Sequence, residues 1–139
     1  MSSVREQIVA RMAAALAVLL APGAIPVYRS RADAFDRGAS PAVVISPADE
    51  ETQPLADLWE VSRINVHVEI IVRGDVWDTL ADPIIIAVHT LLMGDAPLAA
   101  LCSKIRRSSA KWEAHEADQT AGVLTQTYHL IYHTQTDQL

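Results

Sequence analysis

The stretch Ile64-Asn65-Val66-His67-Val68-Glu69-Ile70-Ile71-Val72-Arg73 decides the fold. Apolar residues at 64, 66, 68, 70 and 72 alternate with Asn65, His67, Glu69 and Arg73. Successive strand side chains point to opposite faces, so a period of two predicts one strand with a buried face and a polar face. Only Ile71 breaks the polar side. Clean alternation suits an antiparallel sheet covered on one side, since a parallel sheet buried on both faces reads as a continuous apolar run. Gly74-Asp75 ends the strand.

Upstream, Ser3 and Glu6 fit a capping box. Val4, Ile8, Met12, Leu16 and Leu19/Leu20 recur at helical spacing, and Pro22-Gly23 would stop the helix. We therefore expect a first helix over 3–21. Arg5 and Arg11 before an apolar run also suit a short signal peptide, but Glu6 argues against that n-region. Ile25 to Arg31 reads as a first short strand, and Ala32 to Ser40 as a loop. Pro41 to Pro47 reads as a short or edge strand, because a proline donates no ladder hydrogen bond. Ala48 to Leu58 reads as an acidic loop.

Downstream, Asp82-Pro83 reads as N-cap and N1 of a helix, with Val76 to Leu80 as a possible preceding turn. Ile84, Ile85, Val88, Leu91 and Leu92 supply its apolar stripe, and Gly94 suits the C′ position. Pro97 to Cys102 reads as a helical turn. Ile105 to Glu113 and Val123 to Thr134 read as a hairpin joined by a long loop, Ala114 to Gly122, whose Asp118 to Gly122 segment carries turn chemistry. The expected fold is α+β: a mainly antiparallel sheet of four or five strands, with two or three helices on one face, as one domain over 1–139.

Few constellations for chemistry are present. The chain has 139 residues, five histidines and one cysteine. No His-Glu-x-x-His, Gly-x-Ser-x-Gly or glycine-rich phosphate loop occurs. His129 and His133 lie four apart in a predicted strand, about 13 Å apart and too far to share a metal. His67 and Glu69, with His115 or Glu116, could approach a metal, although a solvated polar sheet face explains them as well. His89 in the apolar helix reads as a partly buried, hydrogen-bonded side chain, and Cys102 as an inert thiol. We expect no catalysis and no cofactor.

Charge is more informative. There are 11 basic and 17 acidic residues, a net charge of -6, which disfavours non-specific nucleic-acid binding. Asp49, Glu50, Glu51, Asp57 and Glu60 form a block without a cation. Lys104, Arg106, Arg107 and Lys111 form a block without an acid. Opposite blocks on one small domain permit head-to-tail association, which closes into a ring or runs on as a filament. Two solvated charged faces would look the same in sequence. No apolar run reaches the ~20 residues of a membrane span.

The layout resembles the tail terminator (minor tail protein U) family of long-tailed phages and prophages. The resemblance rests on the helix with Arg5-Glu6-Gln7-Ile8, the Pro41 to Ile45 strand before an acidic loop, and the long strand from Arg63. It continues through the helix with Asp82-Pro83-Ile84 and Val88-His89, the hairpin with Trp112-Glu113, and the closing strand Tyr128 to Tyr132. It implies a non-enzymatic virion component, assembled in the bacterial cytoplasm. Such a protein forms a ring, typically six-fold, on the head-proximal end of the tail tube, stops tube growth and meets the head connector. The implied partners are therefore itself, a tail tube protein and a head–tail connector protein. A head–tail joining protein, a small metal enzyme using His67, Glu69 and His115, and a regulatory adaptor are the alternatives.

Overall fold

The computed structural model describes residues 2–20, 25–32, 34, 40–116 and 120–139. It is an α+β domain whose five-stranded sheet has the order β1-β2-β3-β5-β4. The strands are β1 (Val27–Tyr28), β2 (Ala42–Pro54), β3 (Trp59–Arg73), β4 (Lys104–Glu116) and β5 (Thr120–Gln135). The helices are α1 (Val4–Ala15), α2 (Trp77–Met93) and α3 (Ala96–Leu101). β2, β3, β5 and β4 pair antiparallel, while β1 pairs parallel to β2 over two residues, so the sheet is mixed.

The alternation of β3 is realised as expected. Ile64, Val66, Val68, Ile70 and Val72 join Val43, Ile45, Leu124, Tyr128 and Leu130 in one buried cluster. Ile8, Val9 and Met12 of α1 close it, with Ala81, Ile85, Val88 and Leu92 of α2 and Leu98 of α3. Each such side chain buried contributes roughly 1.5–3 kcal/mol. Ile71, the exception in the polar row, has a separate cause. It packs on the opposite face with Ala34, Ala42, Val44, Val123 and Tyr28. A small second cluster therefore covers one end of the outer face.

Helix ends follow local chemistry. Ser3 Oγ accepts the Glu6 N–H at 3.2 Å, which is half of the expected capping box. The first helix ends at Ala15 and continues as a 3₁₀ turn, Leu16–Leu20, rather than as α-helix to residue 21. Its proposed stop at Pro22-Gly23 lies outside the described residues. Asp95 caps α3 by accepting the Leu98 N–H at 2.9 Å. Both Asp95 oxygens also take Arg11, at 2.7 and 2.8 Å, so one carboxylate ties α3 to α1. Gly94 caps α2 with φ of -96°, without the left-handed turn expected of a C′ glycine.

Four expectations are corrected. The helix α2 starts at Trp77, so Asp82-Pro83 is inside it and not at its N-terminus. Proline there frees the carbonyl four residues back, that of Thr79, and both residues lie on the exposed side where water can satisfy it. Residues 48–54, expected in a loop, continue β2, with a register shift between Pro47 and Asp49. The long β3 supplies the partner ladder, and the bulge lets the chain pass Pro47. The loop expected over 114–122 is largely strand too, since β4 runs to Glu116 and β5 starts at Thr120. Asp118 lies outside the described residues. The strand expected over 25–31 shrinks to Val27–Tyr28.

One close approach shapes the far end of the sheet. The Trp77 ring lies against Gly122 of β5, where an added Cβ would sit 1.6 Å from the ring. Only glycine leaves room for the first residue of α2 to seat there.

Candidate functional site

Register and topology place the two charged blocks. β2 and β4 are separated by β3 and β5. Asp49 pairs with Asn65, Asn65 with His129, and His129 with Arg106. The acidic and basic blocks thus sit level on opposite sides of the sheet, roughly 14 Å apart at ~4.8 Å per strand. Among the described residues, both strands have open ladders. β1 covers β2 only at Val43 and Val44, and β4 is the last strand of its side.

Alternation splits each block between the two faces. On the outer face, opposite the helices, lie Asp49 and Glu51 of β2, and Lys104, Arg106 and Lys111 of β4. Arg107 falls on the helix side, level with Tyr128, and a bulge between Arg107 and Ser109 follows it. Asp57 sits in the β2–β3 turn at φ of 54°, and Glu60 is half-buried at the base of that turn.

The individual charges differ in how free they are. Glu50 turns to the helix side, where Arg5 pairs with it at 3.0 Å and the Tyr132 hydroxyl donates to it. Burial first, and then the Glu50 hydrogen bond, push the Tyr132 phenol up to about 12. Glu50 therefore seals the domain itself. Asp49 accepts Asn65 Nδ2 at 3.0 Å. Asn65 Oδ1 then faces His129 Nδ1 at 2.9 Å, so His129 is the donor. Lys111 pairs with Glu113 at 3.3 Å on the same exposed strand. Among the described residues, Glu51, Asp57, Lys104, Arg106 and Arg107 make no ion pair within the chain.

The histidines and the cysteine resolve differently. His67 Nδ1 lies 3.0 Å from Thr127 Oγ1. Glu69 is buried and held by Arg31, with one contact at 2.7 Å. Both line an outer-face cavity of about 320 Å³ with Lys111 and Thr125. The side chains of His115 and Glu116 lie outside the described residues. Among the described residues no three His, Cys, Asp or Glu side chains gather around a possible metal. His89 is half-buried and bonded, as expected: its Nδ1 is 2.9 Å from the Tyr128 hydroxyl, which accepts Gln126 Nε2 at 2.8 Å. The sequence reading missed Gln126 and Tyr128 as partners, because the triad joins β5 to α2 across the core. Cys102 is half-buried, and burial raises its thiol. Its Sγ donates to the Leu98 carbonyl at 3.4 Å, and the nearby cations do not activate it.

Together these observations define an α+β domain that carries unpaired acidic residues on β2 and its following turn and unpaired basic residues on β4. No protein-family model and no curated protein matches the chain. Among the described residues no helix is long and apolar enough to cross a membrane.

Proposed function

We propose that the protein is a structural component of a phage or prophage tail that assembles head to tail into a ring and caps the tail tube. The observation that carries this reading is the placement of two oppositely charged strands on opposite sides of one sheet. Like edges repel: two β4 strands would oppose Lys104, Arg106 and Arg107 to their own copies. An acidic β2 of one copy against a basic β4 of the next is favourable, and such a contact repeats in one direction only. Open ladders on both strands add backbone hydrogen bonds to that pairing. A ring closed by this contact presents two different faces, one for the tube end and one for the head connector. The family resemblance supplies the setting; the geometry supports the mode of assembly.

Light scattering across a wide concentration range, with negative-stain images of the same sample, tests the reading. Particles of about six copies with a central hole are expected. A strict monomer at every concentration, with and without purified tail tubes, would refute it. The double reversal Arg106→Glu and Arg107→Glu should weaken assembly at least tenfold. Added salt should weaken it progressively, because exposed charges are screened within ~8–10 Å.

A further inference from the structure

Backbone hydrogen bonds fix which N–H groups of β2 face its open edge. In an antiparallel pair, alternate residues turn their N–H and C=O to the partner strand and the others turn theirs away. The Leu55 N–H bonds the Trp59 carbonyl at 2.8 Å, so Leu55 faces β3. By alternation Pro54, Thr52 and Glu50 face away from β3. At the other end the Val43 N–H bonds the Pro26 carbonyl at 2.9 Å, on the β1 side. Ile45 and Pro47 therefore face that same side, and Ala48 is the extra residue of the bulge that resets the alternation. Ile45 is fully buried, so the open stretch begins beyond it. Among the described residues, its outward positions are 47, 50, 52 and 54, and proline holds the first and the last. Neither proline costs the β2–β3 ladder a bond, and each deletes a donor from the edge.

The β4 edge is built differently. The Thr136 N–H bonds the Leu58 carbonyl at 2.6 Å, which turns the even-numbered residues of β5 toward β3 and the odd-numbered ones toward β4. On β4 the outward residues are therefore Ile105, Arg107, Ala110 and Trp112, and none is proline. Two β2 edges share at most four N–H donors, two from each copy, whatever their register. A β2 edge against β4 has six, because β4 supplies donors to the two proline carbonyls. Pairing β2 with β2 also brings Asp49 and Glu51 of both copies onto one face. Pairing it with β4 sets those acids beside Arg106 and Lys111 on that face.

We infer that Pro47 and Pro54 are edge guards: they bar a two-fold β2–β2 dimer and leave the β2 edge to β4 of a second copy. This inference rests on the self-assembly reading and names the device that gives the assembly its direction. Edge prolines are a known means of blocking unwanted strand pairing. Here they act selectively, since a proline still accepts a hydrogen bond and β4 is the edge that can donate it. β2 and β4 run in opposite directions in the sheet, so a copy added with the same face up pairs antiparallel. That contact is heterologous and repeats from copy to copy.

The test uses the full-length chain in a Cys102→Ser background with Glu51→Cys, an exposed site that reports on β2–β2 contact. It is oxidised with copper–phenanthroline, with and without the further changes Pro47→Ala and Pro54→Ala. The covalent dimer should be scarce with the prolines and rise roughly tenfold without them, as a few added hydrogen bonds imply. Pro54→Ala alone, which lies away from the bulge, should give part of that rise and keeps the test valid if the double change unfolds the chain. Ala110→Pro removes an outward donor. It should raise the midpoint concentration of assembly several-fold and leave the urea midpoint in place, whereas Lys111→Pro, at an inward position, should lower the urea midpoint. Equal dimer yields with and without the prolines would overturn the guard role and leave the ring reading standing. A wild-type monomer at every concentration that dimerises once the prolines are removed would keep the guard role and overturn the ring. Monomers in both cases would overturn both.

Discussion

The two halves of the β2–β3 pair share one backbone ladder and differ in everything their side chains do. From Ala42 to Ile45, β2 is buried on both faces, under the helices on one side and the Ala34–Val123 cluster on the other. From Pro47 onward nearly every residue is exposed. Cross-strand polar pairs replace apolar packing there: Thr52 with Ser62 at 2.9 Å, and Asn65 with Asp49. The first half is a strand because burial demands it. The second is a strand because β3 offers it a ladder. What is gained by extending an exposed hairpin is reach, and its free end carries the apolar and acidic side chains that a partner can use.

The comparison can be broken at its buried end first. Ile45→Ala removes a fully buried side chain and should destabilise by about 2–5 kcal/mol in urea titration. If it costs no more than a surface change, the covered half is not the seat of stability. Gly122→Val comes next, at roughly 1–3 kcal/mol, because the new side chain must displace Trp77. A red-shift of tryptophan emission should accompany it.

Asp95→Ala should cost about 0.5–2 kcal/mol as the loss of a helix cap. Its acid dependence has a definite sign. Arg11's hydrogen bond, helped by the Leu98 N–H, holds the Asp95 carboxyl below the ordinary value against the opposing effect of burial. The contribution is therefore full above the ordinary carboxylate range of ~4 and is lost as pH falls through the lowered folded value. The stability difference between wild type and Asp95→Ala should shrink on acidification; a constant gap would show that the pairing is inert. The smallest effect belongs to the hairpin tip. Leu58→Ser should change monomer stability by less than about 0.5 kcal/mol. A larger loss would mean that the projecting half supports the fold after all.

Much of this was legible in the sequence, where residues report on burial. The period-two pattern of β3, the Ser3 cap, the helical segment ending near Gly94 and the bonded state of His89 all follow from local chemistry. The extent of β2 did not. Pro47, Ala48 and the acids after them carry no strand signal, and only the partner strand recruits them. The start of α2 was likewise obscured, because Pro83 is a strong first-turn signal and its cost is removed by an exposed face.

The charge blocks divide along the same line. Their existence is a property of the sequence. Their geometry is not. Strand order carried Asp49 and Arg106 to opposite sides of one sheet, alternation turned Arg107 away from Arg106, and packing spent Glu50 on Arg5 and Tyr132. Patterning along a chain determines which face of each element is apolar, since that depends only on residue spacing. Which charges remain free for a partner depends on neighbours distant in sequence, and those are chosen only when the sheet closes over its core.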